Sequence, residues 1–159
     1  MNSAAKTRIE DVVCEVIETF AFMLPDPAGP DEPALNDPAD PVKAVVGFEG
    51  AAEGHLTIYT SLETAMEMSC NVLGLDQASE DQALDAVQEF ANQCCGQLLT
   101  ALAGSAPAFS LGIPDSGACP VAAWRAALEG PETLHFVVDG EFPLLVRFDI
   151  EADQDGLLQ

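Results

Sequence analysis

Apolar residues return every three or four positions near the start of the chain: Ile9, Val12, Val13, Val16, Ile17, Phe20 and Met23. Glu10, Asp11, Glu15 and Glu18 fill the other side, so a helix is predicted over residues 4–23. It must stop near Leu24, because Pro25 and Pro27 follow and cannot continue it. Pro25, Pro27, Pro30, Pro33, Pro38 and Pro41, mixed with Asp and Glu, predict a stiff, exposed loop over residues 25–42. The period then changes to two. Ala44, Val46 and Phe48 alternate within 43–49, residues 50–54 turn the chain, and Leu56, Ile58 and Thr60 alternate on the way back. His55, Thr57 and Tyr59 fall on the opposite face, which makes His55 a surface strand residue rather than a catalyst. A helix over 61–73 is predicted next, with Thr60 and Glu63 as a capping box and Gly74 as its terminator. Met66, Met68 and Cys70 read as its packing residues.

The longest helix runs over about 80–103. Ser79 caps it, Gln82 completes the box, Glu80 and Asp81 suit the positive end of its dipole, and Gly104 ends it. Residues 108–113 read as a strand and Pro114 to Gly117 as a turn. Cys119 to Glu129 is open between irregular structure and a short helix bearing Trp124. Leu134 to Val138 and Phe142 to Ile150 form a hairpin across Asp139-Gly140, a pair suited to the positive φ of a type I′ turn. Pro143 lacks an amide donor and belongs at a strand's start or edge. Hairpins imply a mainly antiparallel sheet, and two long helices must cover it: an α+β domain in two layers over residues 1–152, with a frayed tail at 153–159.

Charge narrows the field. The 159 residues hold 5 Lys+Arg against 27 Asp+Glu, a net −22. Five cations cannot build a nucleic-acid footprint or dock on an anionic membrane. The acidity itself fits solubility or a preference for elevated salt first, and a basic partner second. No export signal or apolar span is visible, so a cytoplasmic setting is expected. The five cysteines (Cys14, Cys70, Cys94, Cys95 and Cys119) are then reduced thiols. No metal site is expected, because only His55 and His135 could join them.

On a helix over 84–102, Leu84, Val87, Ala91, Cys94, Leu98 and Leu102 share one stripe. Asp85, Glu89, Asn92, Gly96 and Thr100 share the opposite one. Carboxylate, carboxylate and amide thus stand in a column, and Gly96 continues it without a side chain, where a partner could approach closely. In so acidic a chain, a polar helix face of this kind is also ordinary.

In its context this column resembles the signature of the CheC/CheX/FliY group of chemotaxis phosphatases. That signature is Asp or Ser, three residues, Glu, two residues, Asn, and a proline about twenty-two residues on. Here it reads Asp85-Ala-Val-Gln-Glu89-Phe-Ala-Asn92, and Pro114 arrives one residue early. The strand Gly47-Phe48-Glu49-Gly50, then Gly54-His55-Leu56-Thr57-Ile58 and a helix with Ala65, are similar too. The resemblance implies an α+β fold and hydrolysis of the aspartyl phosphate of a CheY-like response regulator. It implies no cofactor of the chain's own, with Mg²⁺ supplied by the receiver, and allows a homodimer. Asn92 would orient a water without repelling the phosphoryl oxygens. Glu89 would pair with the receiver's lysine, and Asp85 and Gly96 would support docking. On the first helix, Asp11-x3-Glu15-x2-Glu18 puts a glutamate where Asn92 stands, so only one complete motif exists, as in CheX. The alternative is a non-catalytic signalling module that binds a receiver or another partner. Cys119 to Arg125 has the spacing of a cysteine phosphatase loop but lacks its glycines, so the match is taken as chance.

Overall fold

The structure, a computed structural model, describes residues 2–104 and 109–153. Its centre is a seven-stranded antiparallel sheet. The strands are β1 (Pro25–Ala28), β2 (Pro41–Gly50), β3 (Ala52–Ser61), β4 (Phe109–Leu111), β5 (Asp115–Ala118), β6 (Thr133–Val138) and β7 (Phe142–Asp153). They lie in the order β1-β6-β7-β3-β2-β4, with β5 also on β2.

Alternation along the strands decides which face is covered. Ala44, Val46 and Phe48 of β2, Leu56 and Ile58 of β3, and Leu144, Val146 and Phe148 of β7 all turn to one side. There they meet α1 (Ser3–Ala21), α2 (Leu62–Leu73) and α3 (Glu80–Ala103). Asn2 caps α1, and the Ser79–Gln82 box caps α3 as the sequence predicts. Phe20 of α1 meets Phe90 of α3, and the Arg8 guanidinium donates to the Ala101 carbonyl, so the two long helices run antiparallel. A cation at that end also complements the α3 dipole.

Several elements depart from the sequence expectation. The sheet's other face has a cover of its own: Trp124 of α4 (Val121–Glu129) is fully buried with Leu35, Ala127 and Leu145, and its indole N–H donates to the Leu35 carbonyl at 3.1 Å. The domain therefore has a partial third layer. Removing that indole should cost about 3–5 kcal/mol. The stretch 25–42 is not simply an exposed loop. Pro25–Ala28 pairs with β6, Pro33–Leu35 forms a single 3-10 turn that buries Leu35, and Pro41 already belongs to β2. An edge strand needs only half of its amides, which is why two prolines are tolerated in β1. The α2 cap is Ser61, whose Oγ accepts from the Thr64 amide; Thr60 instead donates to the Pro143 carbonyl at 2.6 Å.

The Asp139-Gly140 turn has φ of 52° and 73°, as a type I′ turn requires. Pro143 stands second in β7. β7 continues to Asp153, so the expected tail begins one residue into strand, and 154–159 lie outside the described residues. Ala108, assigned to a strand from its sequence, is also outside them. A register shift at Glu53/Gly54 brings β7 so near that a β-carbon on Gly54 would stand 2.1 Å from the Asp149 carbonyl oxygen. Only glycine fits there.

Candidate functional site

α3 packs Val87, Phe90, Ala91, Cys94 and Leu98 into the core. The opposite stripe is therefore presented outward. Asp85 and Glu89 are exposed, and Asn92 and Gly96 are half-buried. The Gln93 amide donates to Glu89 Oε1 at 3.4 Å, along the helix. Among the described residues the Asn92 carboxamide has no hydrogen-bond partner, so its donors and acceptor are left for solvent or a visitor.

The neighbour of this helix face is the sheet edge. β4 and β5 both pair with β2 and are one interrupted edge strand. Leu111 opposes Phe48 and Asp115 opposes Val45, so three residues (Gly112, Ile113, Pro114) face two on β2 (Val46, Gly47). That is a bulge. Gly112 anchors it by donating to the Gly47 carbonyl at 2.8 Å. Pro114 to Gly117, expected as a turn, thus holds this bulge's last residue and most of β5. Pro-Asp-Ser-Gly has turn chemistry, but the open edge of β2 recruits it into the ladder.

Two contacts fix the edge strand against α3. Gln88 Nε2 donates to Ser116 Oγ at 2.8 Å, and Ser116 donates to the Leu84 carbonyl at 3.2 Å. Further along, Leu111 Cδ1 lies 3.8 Å from where a β-carbon on Gly96 would stand. Asn92 is one turn from Gln88 and one turn from Gly96, so the bulge lies alongside it. The room over Gly96 is taken up partly by the chain's own Leu111. Gln88, Ser116, Leu111 and Ile113 were not singled out from sequence. The available signal was an apolar residue directly before the motif proline.

The helix charge at the site is of one sign, while the exposed Lys43 of β2 stands opposite Gly117 of β5. α2 and α3 contain no Lys or Arg. Of the five cations, Arg125 pairs with Asp37, Arg147 with Asp149 at 3.1 Å, and Lys6 with Glu10 at 3.8 Å. The Arg125 hydrogen bond holds the Asp37 carboxyl below its ordinary range.

The other candidates do not assemble. His55 sits on the far face of the sheet, between Glu151 at 2.9 Å and Asp149 at 3.3 Å. All five thiols are free. Burial pushes Cys95 up to about 12 and Cys94 well above the usual thiol range. Cys119 is raised too, by burial that outweighs Lys43. Residues 121–125 are the first turn of α4, not a phosphate-cradling loop, and Arg125 is engaged with Asp37. A cysteine nucleophile is thus poorly served. Among the described residues, no three His, Cys, Asp or Glu side chains gather as a metal would need, and no helix is long and apolar enough to cross a membrane.

Comparison with known proteins agrees with the resemblance read from the motif. A family model described as chemotaxis phosphatase CheX matches residues 42–116, the span from β2 to the middle of β5. No curated protein gives a significant sequence match. Among solved structures, the chain is similar to a chemotaxis protein CheX from Desulfovibrio desulfuricans, with TM-score 0.67 and 21% identity over 93% of this chain and 99% of that one. It is similar to the CheX–CheY–BeF₃–Mg complex from Borrelia burgdorferi, with TM-score 0.66 and 16% identity over 92% and 97%. A CheC-like superfamily protein from Shewanella sp. PV-4 gives TM-score 0.58 and 17% identity over 94% and 99%. At these identities the structures establish the α+β fold with its antiparallel sheet.

Proposed function

We propose that this chain is a CheX-type phosphatase that accelerates hydrolysis of the aspartyl phosphate on a CheY-like response regulator. The observation that carries the proposal is the Asn92 carboxamide. It has no partner among the described residues, is half-exposed between α3 and the edge bulge, and lies one turn from the exposed Glu89. The match of the CheX family model to residues 42–116, which contain the whole motif, supports it. So does the capture of a Borrelia relative with CheY, BeF₃ and Mg²⁺.

The substrate is an acyl phosphate, which is labile already. The receiver holds the Mg²⁺ and the lysine that balance its charge, so what remains is to place one water in line. Asn92 is suited to this. Its carbonyl can accept a water proton, its amide can donate toward a phosphoryl oxygen, and it brings no negative charge. The water oxygen forms the new bond to phosphorus. The bond from phosphorus to the receiver's carboxyl oxygen breaks, the carboxylate leaves with the electron pair, and the water's proton passes to phosphate or solvent. Glu89 fixes the register of docking through the receiver's lysine, and Asp85 adds to the acidic rim. The setting that follows is the cytoplasm, where receivers work.

The test is release of inorganic phosphate. Receivers of the source organism, charged with acetyl phosphate and Mg²⁺, are followed with and without this protein. Faster release from at least one, lost in Asn92→Ala, is expected. Tight binding without any acceleration would instead assign a non-catalytic receiver-binding module.

A further inference from the structure

Ile113 is 95% exposed, the most exposed large apolar side chain among the described residues. A single apolar residue on a surface needs no explanation. Its position and mounting do. It stands on the bulge beside Asn92, next to Leu111, which is 36% exposed over Gly96. The bulge is pinned on both sides by ladder pairs and at its first residue by the Gly112–Gly47 hydrogen bond. Pro114 behind it has a fixed φ. Little backbone entropy is left to lose on binding there. On the helix side the charge has one sign: Asp85 and Glu89 are exposed and α3 contains no Lys or Arg, whereas Glu49, Asp115 and the exposed Lys43 alternate to the other face of the sheet.

We propose that Ile113 is a docking residue of this face. Its side chain seats in an apolar hollow of the phosphorylated receiver, ringed by cationic groups and beside the cleft that holds the aspartyl phosphate. It thereby sets how deeply Asn92 reaches. Two observations choose this occupant over another partner: Ile113 lies on the edge segment that touches α3 on either side of Asn92, through Leu111 at Gly96 and Ser116 at Gln88, and the exposed Asp85 and Glu89 complement a cleft that carries lysine and Mg²⁺. The inference rests on the function proposed above and adds to it an anchor, which acts on binding, as distinct from Asn92, which acts on the reaction.

Steady-state phosphate release from a CheY-like receiver charged with acetyl phosphate and Mg²⁺ separates the two. Ile113→Ser should raise KM about tenfold or more, with kcat within about twofold, since burying an aliphatic anchor commonly carries that much affinity. Ile113→Leu should retain most of the wild-type KM. Affinity for the same receiver loaded with beryllofluoride should fall in Ile113→Ser by a similar factor, a reading that needs no turnover. The exposed side chain makes no fold contact that the substitution would remove, so the melting temperature should not change. Wild-type KM and affinity in Ile113→Ser would overturn the docking role and leave the function standing, as would a loss confined to kcat. No acceleration by the wild type on any receiver would overturn the function and this inference with it.

Discussion

Two faces of the molecule share a helix spacing and an edge strand and differ in the third residue of the column, in charge and in the bulge. α3 lies beside the edge strand β4/β5 and carries Asp85, Glu89 and Asn92. α1 lies beside the opposite edge strand, β1, and carries Asp11, Glu15 and Glu18 at the same spacing, all exposed. Behind them stand two hairpins, β2–β3 and β6–β7, joined through β3 and β7. The scaffold offers the same ledge twice. On one ledge the third position is neutral and can orient water; on the other it is a carboxylate. The α1 side also concentrates negative charge. Cys14, half-buried among these acids, has its thiol pushed up to about 11, first by burial and then by Glu18, Asp11, Glu10 and Asp26. A phosphoryl group arriving there would meet the same carboxylates, which add to the effect of burial on this thiol. Under the proposed function, a helix face of the right shape is not enough: the reaction calls for a neutral third residue, which α3 has and α1 lacks.

The sharpest way to break this comparison is Asn92→Ala. Stimulated phosphate release should fall on the order of a hundredfold, as when one positioning group is lost, while affinity for a beryllofluoride-loaded receiver changes little. Full activity would remove the difference between the faces. Glu89→Ala should lower both affinity and turnover, about tenfold in kcat/KM, because it loses register as well as attraction. Glu18→Ala on the other face should leave kcat/KM within about twofold, measured in the same assay. The stimulated rate should also be nearly level between about pH 6.5 and 8.5, since a carboxamide does not titrate.

The smallest effect reads the field on α1 directly. With Cys70 replaced by Ser, the pH dependence of Cys14 alkylation reports its thiol. Glu18→Gln should bring that pKa down from its raised value, because one repelling charge is gone. Linkage gives the corresponding sign for stability. Thiols raised in the fold, Cys94 and Cys95 above all, hold their protons longer than they do unfolded, so stability should decline as pH rises past about 9.

How much of this was readable beforehand depends on the range of the interactions involved. The Ser79–Gln82 box, the Asp139-Gly140 turn and the outward column of α3 follow from residues within one or two turns of each other, and the chain writes such neighbours down in order. β1 could not be read that way. Pro25-Asp-Pro-Ala has loop composition and is a strand only because β6, more than a hundred residues later, leaves an edge open. The same holds for Pro114 to Gly117, recruited by β2. Trp124 belonged to an ambiguous stretch until Leu35 and Leu145 gave it a place to be buried.

The sequence by itself determined the long helices, the two hairpins and the spacing that aligns Glu89 with Asn92, because helix and strand periods are properties of consecutive residues. Only the tertiary structure decided that an edge strand would bulge beside Asn92, that Ile113 would stand out from it, and that Leu111 would lie against Gly96. Those outcomes depend on which strand edge is left unpaired once the core is packed, and a ladder between distant segments is settled by their meeting, which no local pattern encodes.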